Sequence, residues 1–289
     1  MLGHLFNEKN GETKVMRCQP LSPALGAIIY DIDLSQPLSD TNCNELRELW
    51  LQYAVIVVRD QTLTPQQQLD FAKKIGEPQP YPLLKGLDGF DMITPVLKRE
   101  DEKINFGGLW HSDTTYQKKP PMATLLYARE LPPIGGDTLF ANQYLAYETL
   151  SEGFKTTLAG LKAVCVSGKG KAAATRSNRV AETGISVDES ALIGIHPIVR
   201  THPETGKKAL YVNEGHVSHI HGWSSEESSG LLSYLYKHMI KEEFQCRVNW
   251  KEGDITLWDN RCVLHYPVND YHGYRRLLHR ITIAGDVPH

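Results

Sequence analysis

Close to its C-terminus the chain runs Arg275-Arg276-Leu277-Leu278-His279-Arg280-Ile281-Thr282-Ile283, a β-prone stretch that carries two arginines four residues apart. Side chains alternate across a strand, so Arg276, Leu278 and Arg280 share one face while Leu277, His279 and Ile281 share the other. If the arginine face turns inward, two guanidinium groups enter a cavity, and neither can shed its charge. Burying an unpaired cation costs several kcal/mol, so a cavity lined in this way is built to receive anions. Two inward arginines imply two carboxylate-like ligands.

Upstream, Trp110-His111-Ser112-Asp113 sets a histidine and a carboxylate two residues apart, on one side of a strand or strand end. Joined by His265, they form the set of two imidazoles and one carboxylate typical of the facial triad of non-haem Fe(II) oxygenases, which leaves three coordination positions open. A His-x-acid pair alone is a weak signal. With 12 histidines and 34 acidic residues in 289 positions, about one such pair is expected by chance, and the chain contains two. The second, His202-Pro203-Glu204, is followed by Thr205-Gly206 and lies between two strand-like runs, which predicts the tip of a hairpin. Gly107-Gly108 favours His111 and Asp113 as ligands, because a tight glycine turn lets the backbone approach a bound group.

The order of further motifs carries a family resemblance. His111-Ser112-Asp113, Leu131-Pro132-Pro133, Gly135-Gly136-Asp137-Thr138-Leu139-Phe140-Ala141-Asn142, Val212-Asn213-Glu214-Gly215, Trp258-Asp259-Asn260-Arg261, His265 and the terminal arginines together resemble the Fe(II)/2-oxoglutarate dioxygenases of the TauD/TfdA family, from about Pro20 to Pro288. The resemblance implies a mainly β (α+β) protein with a double-stranded β-helix, the jelly-roll or cupin-like core, and flanking helices. It implies iron held by His111, Asp113 and His265, with 2-oxoglutarate and dioxygen as co-substrates. It gives Arg276 and the Thr138 hydroxyl to the distal carboxylate of 2-oxoglutarate, a charge-assisted pair, and makes Trp258 an aromatic wall beside the metal. Arg280 is left for the anionic group of the prime substrate. Halogenases of this broad class replace the carboxylate ligand with a small residue; here Asp113 is retained.

The departures from the taurine enzyme narrow the substrate. Where that enzyme grips a sulfonate with further polar residues, this chain has Tyr81, Leu84 and Gly107, and Arg280 alone survives. The stretch from Pro80 to Phe90 is more similar to the aryloxyalkanoate branch, whose pocket takes an apolar ring behind the carboxylate. An apolar lining favours a ring or alkyl body, so the expected partner is a small anionic organic molecule of the aryloxyalkanoate, alkylsulfonate or sulfate-ester type rather than taurine. In Gly215-His216-Val217-Ser218-His219-Ile220-His221, His219 and His221 share a strand face, but neither a Cys nor paired carboxylates complete a closed metal set. These histidines read as exposed or hydrogen-bonding. In the herbicide branch a similar His-x-x-His lies near the substrate, which leaves a contact from His216 or His219 open.

The remaining sequence supports this class. With 41% hydrophobic residues, 289 positions suffice for one large β domain spanning the whole chain. Cys18, Cys43, Cys165, Cys246 and Cys262 are odd in number and scattered, fitting a reducing compartment. A net charge of -3 leaves no nucleic-acid footprint, and neither a signal core nor a membrane-length apolar run is seen, so a cytoplasmic protein is expected, with a homodimer or homotetramer implied by the resemblance. Ser39-Asp40 opens a helix through Tyr53, Val55–Val58 reads as a buried strand, Thr64-Pro65 caps a second helix that Gly76 ends, and Ser224-Ser225 starts a third with Leu231, Leu232, Leu235 and Met239 as its core stripe. The polar segment at about 167–194, with Lys171, Arg176 and Arg179, reads as a lid over the iron or a solvated loop. A zinc hydrolase could use the same triad, and a binding protein could keep the barrel without turnover. The first would not need Arg276 and Thr138, and the intact ligand set speaks against the second.

Overall fold

The computed structural model describes residues 16–168, 174, 180–182 and 192–289. A short hairpin, β1 (Arg17–Pro20) and β2 (Ala27–Tyr30), leads into α1 (Asp40–Tyr53). Ser39 Oγ accepts the Asn42 amide and caps that helix, and Ala54 closes it in the left-handed region at φ 60°. The chain then enters β3 (Val55–Val58), whose four β-branched residues are all buried, as a continuous apolar run between two layers requires. Thr64 and Gln67 form a capping box on α2 (Pro65–Ile75). Gly76 does end α2, at an extended φ of 171°; what it provides is space, since a Cβ there would lie 2.6 Å from both Ile283 Cγ2 and Met122 Cε.

Next come β4 (Pro78–Gln79), β5 (Thr94–Lys98), β6 (Ala123–Glu130), β7 (Thr138–Asn142), α3 (Gln143–Glu148), α4 (Glu152–Leu158), β8 (Lys162–Val166) and β9 (Ile193–Pro197). The hairpin β10 (Val199–Thr201) and β11 (Lys208–Leu210), then β12 (Val217–Ile220) and α5 (Ser225–Met239), lead to β13 (Gln245–Val248), β14 (Ile255–Asp259), β15 (Val263–Pro267) and β16 (Arg276–Ile283). The large sheet has eight strands in the order β1-β2-β3-β14-β6-β16-β4, with β5 also on β16. A second sheet, β13-β7-β15, faces it, and among the described residues the two do not close into a barrel.

Alternation along the strands builds the layers. Leu125 and Tyr127 of β6, Leu257 of β14 and Ile281 of β16 pack under α1 and α2 with Trp50 and Phe71. The opposite face, with Leu126, Ala128, Trp258 and Leu278, meets Phe140, Val248 and Val263 of the second sheet. Behind that sheet, Ala141 and Leu264 pack against Leu232, Leu235 and Met239 of α5, the stripe read from the sequence. Arg276 and Arg280 have the parity of Leu278, so both point between the sheets and are about 5% exposed. The proposed lid, including Lys171, Arg176 and Arg179, lies mostly outside the described residues.

Candidate active site

His111 and His265 meet across an antiparallel bridge: His111 N donates to His265 O at 3.1 Å, and His265 N donates to His111 O at 2.8 Å. β15 is held in turn by β7, where His265 pairs with Phe140. The bridge sets both rings on one side, with centroids 4.1 Å apart. Asp113 Oδ1 lies 3.8 Å from His111 Nε2 and 4.0 Å from His265 Nε2. Two ligand atoms on one first-row metal, each at about 2.1 Å, can be at most about 4.2 Å apart and are about 3.0 Å apart at right angles, so both spacings are within reach of one ion and would close by about 1 Å around it in a facial set. Directly afterwards Thr114 adopts φ 43°, rare for a β-branched residue, and turns the chain away. Gly107, at φ 75°, runs so close to the His111 ring that a Cβ would lie 2.9 Å from its Cε1.

The protonation states suit a divalent cation. His111 Nδ1 donates to Leu109 O at 2.7 Å, which leaves the Nε2 lone pair facing Asp113. Burial drives the His265 imidazole down to about 3, with His111 adding to the effect, and burial likewise lowers His111. Burial alone would raise the Asp113 carboxyl. His265, Arg280, His111 and the Thr124 hydroxyl outweigh it and hold that group at about 2. At neutral pH the site therefore presents two neutral imidazoles and a carboxylate, the form in which these side chains bind metal.

Arg276 lies beside this triad in a cleft lined also by Thr138, Trp258, Leu126 and His265. Its Nε and Nη2 are buried without a hydrogen-bond partner, while its guanidinium sits between the rings of Trp250, at 5.6 Å, and Tyr271, at 5.9 Å. Gly136, at φ 73°, allows the backbone to pass 3.3 Å from the arginine stem, measured from the position a Cβ would take. Thr138 Oγ1 accepts from Trp250 Nε1 at 3.0 Å, so its own hydrogen is free to point at an anion. These orphaned donors fit the distal carboxylate expected of 2-oxoglutarate.

An adjoining cleft also borders His111 and Asp113 and is lined by Tyr81, Phe106, Leu109, Thr114, His216 and Arg280 among others. The Arg280 guanidinium carbon stacks 4.0 Å from the Tyr81 ring centre, and Nη1 is 3.7 Å from Asp113 Oδ1. Its Nε and Nη2 have no hydrogen-bond partner. Of the three residues read as substrate contacts, Tyr81 and Gly107 line this cleft, whereas Leu84 is buried with Tyr81, Leu83 and Tyr116 in a small apolar cluster and is not among the lining residues. His216 turns inward and pairs with Thr115 Oγ1 at 3.1 Å, whereas His219 bonds Ser218 and His221 is exposed.

The second His-x-acid pair does occupy a hairpin turn, yet His202 is fully buried. Its Nε2 donates to Asp259 Oδ2 at 3.0 Å, and its Nδ1 accepts the Glu204 and Thr205 amides. Asp259 also takes three bonds from Arg261, whose remaining arm reaches Glu204 at 2.6 Å. His202, Asp259 and Cys262 thus have metal-like spacing, but the histidine and the carboxylate are already fully engaged by hydrogen bonds.

The sequence profile described as "Taurine catabolism dioxygenase TauD, TfdA family" matches residues 17–282. The chain belongs to this family. The TauD/TfdA enzyme is 32% identical over 280 residues to an "Alpha-ketoglutarate-dependent sulfate ester dioxygenase" of Pseudomonas putida, covering 93% of this chain and 89% of that protein. It is also 32% identical over 285 residues to the "Alpha-ketoglutarate-dependent 2,4-dichlorophenoxyacetate dioxygenase" of Cupriavidus pinatubonensis, covering 92% and 97% of the two chains. Among solved structures, a taurine dioxygenase from Burkholderia xenovorans superposes with a TM-score of 0.79 at 32% identity, covering 94% of this chain and 90% of that one. The protein is thus a 2-oxoglutarate-dependent (alpha-ketoglutarate-dependent) dioxygenase with a jelly-roll core, which uses iron and dioxygen. No helix among the described residues is long and apolar enough to cross a membrane.

Several site residues escaped the sequence reading. Phe106, Trp250 and Tyr271 sit in no motif that assigns them a role, and Thr124 reads as an ordinary β-prone residue within Ala123-Thr124-Leu125-Leu126.

Proposed function

We propose that this dioxygenase hydroxylates a C–H bond of a small organic monoanion whose charged group is held by Arg280 and whose ring or alkyl body lies along Tyr81, Phe106 and Leu109. The observation that carries the reading is the buried Arg280 guanidinium, stacked on Tyr81 with two donors unpaired and facing the metal triad. The Arg276 and Arg280 clefts adjoin at His111, Asp113 and Arg280, so a co-substrate held by Arg276 and a substrate held along Tyr81 would meet at the metal. When bound, iron supplies the oxidative activation of dioxygen, coupled to conversion of 2-oxoglutarate into succinate and carbon dioxide. The protein's part is to fix the substrate carbon near the triad and keep water away from it.

The named relatives act on sulfate esters and phenoxyacetates, and both substrate types join an anionic head to an apolar body. Taurine fits less well, because among the described residues the one carboxylate lining the Arg280 cleft is Asp113, which the triad already engages, and these residues offer the ammonium no other acidic partner. A hydrolase would leave the unpaired Arg276 donors without a role. Succinate release with alkyl sulfates, alkylsulfonates, aryloxyalkanoates and taurine tests the reading. One of the first three classes is expected to stimulate turnover and taurine is not. The loss of one or two charge-assisted hydrogen bonds in Arg280→Gln, at about 1.5–3 kcal/mol each, should raise the substrate KM by about 10-fold or more while 2-oxoglutarate binding persists. Stimulation by taurine alone, or an unchanged KM, refutes the assignment. The five free cysteines support a cytoplasmic setting, and the homodimer or homotetramer implied by the family is checked by light scattering.

A further inference from the structure

Beyond its three protein ligands, the metal site is backed by a hydrogen-bonded chain whose direction can be derived. Trp258 Nε1 lies 2.9 Å from Asn260 Oδ1, Asn260 Nδ2 lies 2.9 Å from Thr124 Oγ1, and Thr124 Oγ1 lies 2.5 Å from Asp113 Oδ2. An indole nitrogen can only donate, so the Asn260 oxygen must be the acceptor and its amide must turn its N–H groups toward Thr124. The Thr124 oxygen then receives a hydrogen from Asn260, and its own hydrogen goes to Asp113 Oδ2. The Asp113 amide, 3.4 Å from Asn260 Oδ1, points the same way. Trp258, Asn260, Thr124 and Asp113 are each at most 4% exposed, so water does not compete along this path.

We infer that Trp258, Asn260 and Thr124 are positioning residues that hold Asp113 as a one-oxygen ligand. The chain engages Oδ2 from behind, and Oδ1 is the atom that faces His111 Nε2, His265 Nε2 and Arg280. A carboxylate held by one oxygen occupies one vertex of the coordination sphere; one that swung to offer both would occupy two and take a position needed by dioxygen or co-substrate. Trp258 therefore does more than wall the co-substrate cleft, because its N–H sets the sense of every bond down to the ligand. Backing groups of this kind, when removed, typically weaken metal binding by about 10- to 100-fold.

The inference rests on the metal-site reading, and the experiment separates the two. Mn(II) affinity of the full chain is measured by electron paramagnetic resonance, and the Co(II) ligand-field spectrum is recorded alongside. Thr124→Val keeps the shape of the side chain and loses the hydroxyl; it is expected to bind Mn(II) about 10- to 100-fold more weakly and to shift the Co(II) bands. Thr124→Ser restores both. Trp258→Phe, which keeps an aromatic ring and removes only the donor, is expected to shift the Co(II) bands in the same direction, and it carries the test if Thr124→Val fails to fold. Wild-type Mn(II) affinity and Co(II) bands in a folded Thr124→Val or Trp258→Phe protein overturn the positioning role and leave the metal site standing. If the wild-type protein binds no Mn(II), the metal-site reading fails and this inference falls with it.

Discussion

Arg276→Met is expected to make the empty enzyme more stable and useless at the same time. In the folded protein Arg276 is 5% exposed and two of its donors have no partner. Each such donor costs about 1–3 kcal/mol of lost hydration, offset by about 1–2 kcal/mol from the flanking Trp250 and Tyr271 rings. An apolar side chain of similar length removes both effects, and replacing buried charge in this way is neutral to stabilising. The net gain is about 0–5 kcal/mol, centred near 2–3, which at an unfolding entropy of about 0.6 kcal/mol/K for a chain of this length raises the melting temperature by about 4–5 °C, and by no more than about 8 °C. The same change removes two charge-assisted hydrogen bonds to 2-oxoglutarate at about 1.5–3 kcal/mol each, lowering its affinity by about 10²- to 10⁴-fold. Differential scanning calorimetry without ligand, then with Mn(II) and increasing 2-oxoglutarate, measures both quantities. A variant that melts lower than wild type when empty, and still gains stability from 2-oxoglutarate, would show that the unpaired donors are neither a cost nor the co-substrate's anchor.

Two further outcomes follow from sites remote from the metal. Burial, and then nearby Arg129, hold the His279 imidazole at about 4, against about 6.5 in the unfolded chain. The folded state therefore prefers the neutral ring; the stability this contributes is complete above about pH 6.5 and lost as the pH falls towards 4. His279→Gln should flatten the dependence of the urea midpoint on pH across that window, and an unchanged slope would rule out His279 as its source. Gly76→Ala forces a methyl group to within 2.6 Å of Ile283 Cγ2 and Met122 Cε, so a loss of about 1–3 kcal/mol is expected in chemical denaturation; wild-type stability would mean that α2 and β16 can move apart freely.

What the sequence discloses is what local chemistry determines. Ser39, Thr64 and Ser224 cap their helices because the capping oxygen and the amide it receives are three residues apart, and the inward face of β16 follows from strand alternation alone. The triad is legible because His111 and Asp113 share a spacing and the family motifs supply His265. Features created by distant contacts are not legible in this way. His202 belongs to a recognisable turn, yet its burial depends on Asp259, 57 residues further on. Leu84 sits in a segment that borders the substrate cleft, and its place in a buried cluster with Leu83 and Tyr116, which is 32 residues further on, follows from tertiary packing. Thr124 has no motif of its own, and its role becomes visible only when β14 lies beside β6 in the register that pairs Trp258 with Thr124.

The inward pair of arginines also sets the electrical balance of the loaded enzyme. With both imidazoles neutral and Asp113 ionised, two permanently charged guanidiniums leave the cavity, counted over the described residues, with one uncancelled positive charge. A divalent metal raises that excess to three, a state that attracts an anion strongly in a low-dielectric interior. The 2-oxoglutarate dianion reduces it to one, and a singly charged substrate brings it to zero. Only the complete assembly is neutral, so electrostatics alone favours an order of loading: metal, then dianion, then monoanion. It also disfavours molecules of the wrong valence: a neutral analogue leaves the last charge buried and uncompensated, and a dianion overshoots. Sulfate monoesters, sulfonates and carboxylates all carry the single charge that completes the balance, which is how one cavity can be adapted to any of them by changing the apolar walls alone.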